Sequence, residues 1–313
     1  MKLGPVKFCM ARAGRDEPCC TEVTANTMRV MTWNLWWRFG PWQQRQQAIE
    51  ATIRSVSPDV VMLQECWREG DRSIAADLAA SLGYHAAETD DPFPGREVGF
   101  HNALLSRWPL EAVDSVALPN ADHQPGHRRL LLADTRTPWG LWPIASTHLD
   151  HRFDDSALRQ SQATALLQAI GQRRNLQAVA NARTTADELL PLILGGDLNA
   201  PPDSDEIRLL TGRKASPVRG LVLSDCWEQV GSSEHQGRTW RDDNPYRVDT
   251  AWPNRRIDYI MVAWPRPKPI GNPTKAWLVG VDPVLLPDGE IMASDHAAVV
   301  VELRTTGSIS GLG

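Results

Sequence analysis

Eight polar residues in this chain stand where an apolar run ends or begins: Asn34, Glu65, His148, Asp197 with Asn199, Asp258, and Asp295 with His296. Each alone has an ordinary structural reading. An aspartate beside a strand caps or turns, a glutamate is a solvated charge, and a lone histidine is structural. Taken together the reading reverses. Carboxylates, amides and two histidines with few cations among them repel one another unless something positive sits in their midst, and a divalent metal supplies that charge. Oxygen-rich ligation by Glu65 with Asp or Asn neighbours suits Mg2+ or Mn2+, whereas no Cys/His set suits structural zinc. A metal so held neutralises a phosphoryl oxygen and the charge that develops during in-line displacement.

Rigid elements must deliver these residues. Arg29 to Trp33 reads as a strand, Gln43 to Ser55 as an amphipathic helix, and Val60 to Leu63 as a buried strand after Ser57-Pro58-Asp59. Asn34 and Glu65 fall just past the two strands. Ser73 to Leu82 is helical, Asn102 to Ser106 a strand, and Leu130 to Asp134 with Leu141 to Thr147 a strand pair joined through Pro138-Trp139-Gly140. Ser156 to Ile170 has apolar residues at helical spacing and continues past Gly171 toward Ala182. Pro191 to Leu194, Ile257 to Val262 and Ala297 to Leu303 are further strands. The alternation is that of an α/β or α+β protein, with the strand ends of one sheet presenting side chains on a common edge.

Composition limits the alternatives. A chain of 313 residues with 42% hydrophobic content can bury one large core. Its formal net charge of -5 argues against holding nucleic acid by broad phosphate neutralisation, though a local basic patch is compatible with it. The five cysteines lack CxxC spacing, and Cys66 and Cys226 sit in apolar segments as buried thiols do, which fits a reducing cytoplasm. No apolar run reaches the length of a membrane span. Residues 1–27 lack periodicity and read as a flexible tail, with translation from Met28 as an alternative, and Cys19-Cys20 as unstructured thiols. Residues 28–304 form one domain, and 305–313 a flexible tail. A cytoplasmic monomer is expected.

Ordered short strings carry a resemblance. Thr32-Trp33-Asn34-Leu35, Leu63-Gln64-Glu65, Asn102-Ala103-Leu104-Leu105-Ser106-Arg107, Ser146-Thr147-His148-Leu149, Gly196-Asp197-Leu198-Asn199, Arg256-Ile257-Asp258-Tyr259-Ile260 and Ser294-Asp295-His296 follow one another along nearly the whole domain. The sequence resembles the endonuclease/exonuclease/phosphatase superfamily, with its deoxyribonuclease-I-like fold. That resemblance implies a four-layer α/β/β/α sandwich and a Mg2+- or Mn2+-dependent phosphoester hydrolase. Glu65 would ligate the metal, with Asn34 orienting it or its waters and Asp295 completing the network. Asp197 would activate water, Asn199 would hold water or phosphate, and His148 would donate to a phosphate oxygen. His296 would act as acid/base or charged donor, oriented by Asp258, a pairing that also follows from chemistry because a carboxylate behind an imidazole fixes its tautomer.

Weaker candidates surround this set. Asn102, Arg128 and Trp240 are the expected substrate contacts, although Arg128 and Arg129 also read as a solvated pair. Asp150 and His151 read equally as contacts to substrate or a second metal and as a surface turn, and Arg159 and Gln162 read as helix-surface residues, with Arg159 reaching back toward the site as the alternative. Among thirteen tryptophans most belong to the core, while Trp36, Trp37, Trp240 or Trp252 would line a pocket. The motifs leave the substrate open. No apolar hairpin stands out for a lipid, and Pro201-Pro202-Asp203-Ser204-Asp205-Glu206 is acidic where an inositol phosphatase needs lysines. A small phosphoester or a nucleic-acid end remains, as does a catalytically silent binding module on the same scaffold.

Overall fold

The computed structural model describes residues 7–9, 20–22, 26–93, 95–180, 189–247 and 252–306. Its strands form where successive apolar side chains can be buried on both faces. In Val60–Glu69, Val60 and Met62 join one apolar cluster and Val61 and Leu63 another, the period of two that a pleated strand requires. The same division separates Leu130 and Leu132 from Leu131 and Ala133.

Three apolar layers result. The middle one packs Val30, Met62 and Val299 of one sheet on Leu131, Ile193 and Ile260 of the other. One outer layer sets Met31, Val61 and Leu105 against Ile49, Ile53 and Leu78, from helices Trp42–Val56 and Ile74–Leu82. The opposite layer sets Leu132, Leu194 and Met261 against Leu166, Ile170 and Ile207, from helices Ser156–Ala180 and Asp205–Leu210. Helix, sheet, sheet, helix is therefore the layer order, the four-layer sandwich that was expected.

The seven-stranded sheet runs Pro273–Val279, Ala298–Arg304, Thr27–Asn34, Val60–Glu69, Gly99–Ser106, His85–Glu88, with Arg72–Ser73 paired onto Val60–Glu69. The six-stranded sheet runs Val222–Asp225, Asp258–Trp264, Ile193–Asp197, Gly140–His148, Pro125–Thr137, Leu110–Pro119. Each contains a parallel pair: Thr27–Asn34 beside Val60–Glu69, and Gly140–His148 beside Ile193–Asp197. The candidate residues thus come from two sheets rather than from the edge of one. Strands buried on both faces carry no mark of which sheet they join.

Other expectations need adjustment. Glu65 lies inside a ten-residue strand, at a bulge, instead of just past a short one. Arg159 and Gln162 are buried, not on the helix surface: Arg159 pairs with the buried Glu206, and Gln162 accepts from the Asp150 amide at 2.9 Å. Within the first 27 residues, Lys7–Cys9 and Cys20–Glu22 pair antiparallel, and the rest of the supposed tail before Asn26 lies outside the described residues. Thr305 is buried and its amide donates to Asn26, so order reaches past 304, while 307–313 are outside the description. The 156–180 helix continues past Gly171, and 181–182 fall outside the description. Cys66 and Cys226 are free and buried. Trp33, Trp67 and Trp142 are fully buried. No helix among the described residues is long and apolar enough to cross a membrane.

Close packing of the central strands depends on glycine. A Cβ on Gly195 would come within 2.6 Å of the Met62 side chain, and one on Gly196 within 2.3 Å of the Thr147 carbonyl oxygen. Backbone has to move to relieve the second clash. Gly196→Ala is therefore expected to destabilise the protein by about 1–3 kcal/mol in urea unfolding, as overpacking does. An unchanged midpoint would show that the two parallel strands can part without cost.

Candidate active site

Both parallel pairs end at the same place. Asn34 is the last residue of its strand and His148 and Asp197 are the last of theirs, side by side in register. Asp258 opens the antiparallel strand opposite Asp197. The shift in pairing between Leu63 and Cys66 makes the bulge that carries Glu65, with φ of +54°. Asp295 and His296 precede Ala298–Arg304, the antiparallel neighbour of Thr27–Asn34. All eight candidates converge on one seam between the sheets.

One amide stitches that seam. Asn34 Nδ2 donates to Glu65 Oε1 at 3.2 Å and to Asp197 Oδ2 at 3.0 Å, while Asn34 Oδ1 accepts the Trp36 amide at 2.9 Å. Asp197 Oδ1 accepts the Asn199 amide at 2.9 Å, and Asn199 Nδ2 donates to the Leu149 carbonyl. His296 Nδ1 lies 2.8 Å from Asp258 Oδ2, and its Nε2 is 3.9 Å from Asp197 Oδ2. His148 Nε2 is 3.4 Å from the same oxygen, and its buried Nδ1 has no hydrogen-bond partner among the described residues.

Burial sets the proton affinities. It raises Asp197, and the nearby Asp258 charge adds to it, so that Asp197 sits at about 6 despite His296 and its N–H donors. Burial and the Glu65 charge, against the pull of His296 and Arg45, likewise bring Asp295 to about 6. Burial also raises Glu65, opposed by His296, the Asn34 hydrogen bond and Arg128. For His296 burial lowers the pKa, but the charges of Asp258 and Asp295 and the Asp258 hydrogen bond overcome it and hold the ring well above the ordinary value. Burial, with Arg128 and His296 nearby, drives His148 well below it. The site therefore contains one charged and one neutral imidazole at neutral pH.

A metal ion has two possible seats. Asp197, Asp258 and His296 bring three ligand atoms within 4.8 Å of one another. In that trio Asp258 Oδ2 is held by His296 Nδ1, whereas its buried Oδ1 has no hydrogen-bond partner among the described residues. The Glu65 charge raises Asp295, and among the described residues neither carboxylate has a cationic side chain within 4.0 Å, which leaves both as oxygen donors open to a metal.

The weaker candidates divide. Asn102 donates to the Arg129 carbonyl at 2.8 Å and lines a cleft with Arg128 and His148. Arg128 is half-buried and its Nη2 lies 3.2 Å from His151 Nδ1, whereas Arg129 pairs with Asp90. They are not a solvated pair. Trp240 joins the backbone of His296, under the Arg247 guanidinium 3.8 Å from its ring centroid. Asp150 is tied to Arg152. Trp36 stacks on Tyr246 at 4.7 Å, and Trp37 faces a groove beside the site.

Sequence reasoning missed Arg45. Its guanidinium is buried and donates to the carbonyls of Leu35, Trp36, Trp37, Phe39 and Ala293, fastening the loop after Asn34 to the loop before Asp295. Burial lowers its pKa to about 10, which leaves it charged. A signal existed: Arg45, Ile49 and Ile53 share one buried helix stripe at intervals of four, and a cation there needs a partner. Ser294 was passed over as well. Its hydroxyl donates to the Asn34 carbonyl at 2.7 Å and accepts the His296 amide.

In metal-free protein the His296 ring is expected to remain protonated above pH 7 by NMR titration. Asp258→Asn removes the largest source of that elevation and should lower the midpoint by about one pH unit or more. A midpoint indifferent to the substitution would separate the two residues.

Residues 31–296 match the model of the Endonuclease/Exonuclease/phosphatase family. No curated protein matches the sequence. Among solved structures, truncated TDP2 from Caenorhabditis elegans is similar with a TM-score of 0.66 at 20% identity, over 89% of this chain and 98% of that one. TDP2 from D. rerio, complexed with single strand DNA product, gives 0.64 at 20% identity over 88% and 98%. An endonuclease/exonuclease/phosphatase from Beutenbergia cavernae DSM 12333 gives 0.61 at 25% identity over 90% and 72%. With a family match across residues 31–296, this chain belongs to the Endonuclease/Exonuclease/phosphatase family and is a hydrolase acting on phosphoric ester bonds.

Proposed function

We propose that the chain is a divalent-metal-dependent phosphodiesterase in which Asp197 activates water and the Asp258-held His296 supports the phosphoryl group. The observation that carries this reading is the arrangement of His296, with Nδ1 2.8 Å from Asp258 and Nε2 turned toward Asp197 at 3.9 Å. In the reaction a water oxygen bonds to phosphorus and its proton passes to the Asp197 carboxylate. The bond from phosphorus to the leaving oxygen breaks, and its electron pair stays on that oxygen. Asp197 suits the role because burial brings its proton affinity close to neutral pH. His296 enters protonated, so its Nε2–H serves as a charged donor to the phosphoryl oxygens. His148, neutral, offers a ring N–H to a non-bridging oxygen without adding a competing charge.

Glu65 and Asp295 would hold the metal. Their oxygen-only chemistry, half-buried setting and like charge, with Glu65 raising the proton affinity of Asp295, fit magnesium or manganese. Bound there, such an ion supplies positive charge against the phosphoryl oxygens. Asn34 acts as a positioning residue instead of a ligand, since its nitrogen serves two carboxylates and its oxygen the Trp36 amide. Asn199 likewise positions Asp197. Wild-type protein should hydrolyse bis-p-nitrophenyl phosphate only with Mg2+ or Mn2+ present, and Asp197→Ala should lower kcat by about 10²–10⁴-fold. Full activity in Asp197→Ala would refute its role as base. Absence of hydrolysis by the wild type with either metal would favour a silent binding module.

A further inference from the structure

The 2.8 Å contact between His296 Nδ1 and Asp258 Oδ2 joins side chains from two different sheets. Asp258 opens Asp258–Trp264 of the six-stranded sheet, and His296 leads into Ala298–Arg304 of the seven-stranded one. Facing sheets lie about 10 Å apart, and a slide of about half an ångström between them is enough to spoil so short a contact. Each residue is fastened on its own side. Asp258 is in register with Asp197, while the His296 amide donates to Ser294 Oγ at 3.2 Å and its carbonyl accepts from Trp33 Nε1 at 2.8 Å. Those bonds tie each residue to its own sheet and leave the spacing between the two to something else.

A short segment that belongs to neither sheet spans the gap. Thr239 Oγ1 accepts the amides of Ile257 and Asp258, each at 3.3 Å, and the Thr239 carbonyl accepts the Ala297 amide at 2.8 Å. Trp240, next along, bridges antiparallel to His296 and to Arg255, exchanging backbone bonds of 3.0 and 2.9 Å with Arg255. Thr239 is buried, so bulk water does not compete for its bonds. A hydroxyl is needed at this position. Val222–Asp225, the neighbour of Asp258–Trp264 at the edge of the sheet, pairs only as far as Met261, short of Asp258. A buried amide without an acceptor is costly, and the threonine oxygen serves two of them where that ladder has stopped.

We propose that Thr239 is a positioning residue that sets the distance between Asp258 and His296, its hydroxyl holding the backbone of the first and its carbonyl the backbone that follows the second. The proposal rests on the phosphodiesterase reading above and adds a residue that acts only through that pair. An imidazole is a directed donor only in the orientation that its carboxylate enforces, so an error in their spacing is felt at phosphorus. Valine has the shape of threonine without the oxygen. At 239 it leaves the Ile257 and Asp258 amides without their acceptor and frees the start of that strand to shift against Ala297. The bonds that Asp197 makes with Asn34 and Asn199 do not involve Thr239, so the loss falls on the alignment of His296 and is read in kcat.

A double-mutant cycle on hydrolysis of bis-p-nitrophenyl phosphate in Mn2+ tests this. Thr239→Val should lower kcat by about tenfold to a hundredfold, with KM within about threefold of the wild type. Thr239→Ser keeps the hydroxyl and should recover most of that loss. In an Asp258→Asn background Thr239→Val should cost no more than about threefold, because the pair it positions is already broken. Proton NMR of metal-free protein supplies a readout independent of turnover. The exchangeable proton between His296 Nδ1 and Asp258 should move upfield or broaden away in Thr239→Val and stay in place in Thr239→Ser. If Thr239→Val does not fold, Thr239→Ala carries the same expectations, since a water can enter the smaller site and take the two amides. An unchanged kcat, an equal loss in the Asp258→Asn background, or an unmoved proton signal in a folded variant lacking the hydroxyl would overturn the proposal. The catalytic reading fails separately, through wild-type kcat in Asp258→Asn alone.

Discussion

Four carboxylates, Asp197 and Asp258 buried and Glu65 and Asp295 half-buried, gather where two sheets end, and the surrounding structure answers the cost of putting them there. A buried charge without a partner is expensive, and several in one place repel one another. Asp258 is answered by a charged imidazole, His296. Asp197 is answered by two N–H donors from Asn34 and Asn199 and by the two nearby histidines. Glu65 and Asp295 receive less. The imbalance is what a divalent cation would correct, and it is the physical reason for reading the site as a metal-dependent one.

Holding such a cluster requires a stiff frame. Each sheet contributes a parallel pair, so that strand ends distant in sequence emerge together, and three apolar layers fix the sheets against each other. Two devices bring the last side chains into place. The bulge at Glu65 turns a strand residue toward the seam with a left-handed backbone, a conformation that neighbouring structure must enforce. Arg45 ties the loop after Asn34 to the loop before Asp295 through carbonyls alone, and its charge faces Asp295 and Glu65 from behind.

Much of this was legible in the sequence, and the parts that were not have physical causes. The apolar runs around Val30, Val61, Ile144 and Ile193 mark strands, and polar residues at their ends mark an edge. Which sheet a strand joins cannot be read from a run buried on both faces, so the seam appeared only in the folded chain. The Glu65 bulge had no local signature in Leu63-Gln64-Glu65-Cys66. Arg159 and Gln162 were misread as surface because their partners, Glu206 and the Asp150 amide, are distant in sequence. Trp37, which lines the groove beside the site, was legible as a pocket candidate, whereas Trp252, expected there too, stacks on Phe153 instead.

The seat of the metal distinguishes this account from its nearest rival. Isothermal titration of Mn2+ into metal-free protein, with Asp295→Asn and Asp258→Asn compared side by side, measures it directly. Binding should be weakened about tenfold or more in Asp295→Asn, within the range known for altered metal surroundings, and largely kept in Asp258→Asn. Binding lost in Asp258→Asn and intact in Asp295→Asn would put the ion on the Asp197, Asp258 and His296 trio, and would contradict the division of labour described for the four carboxylates.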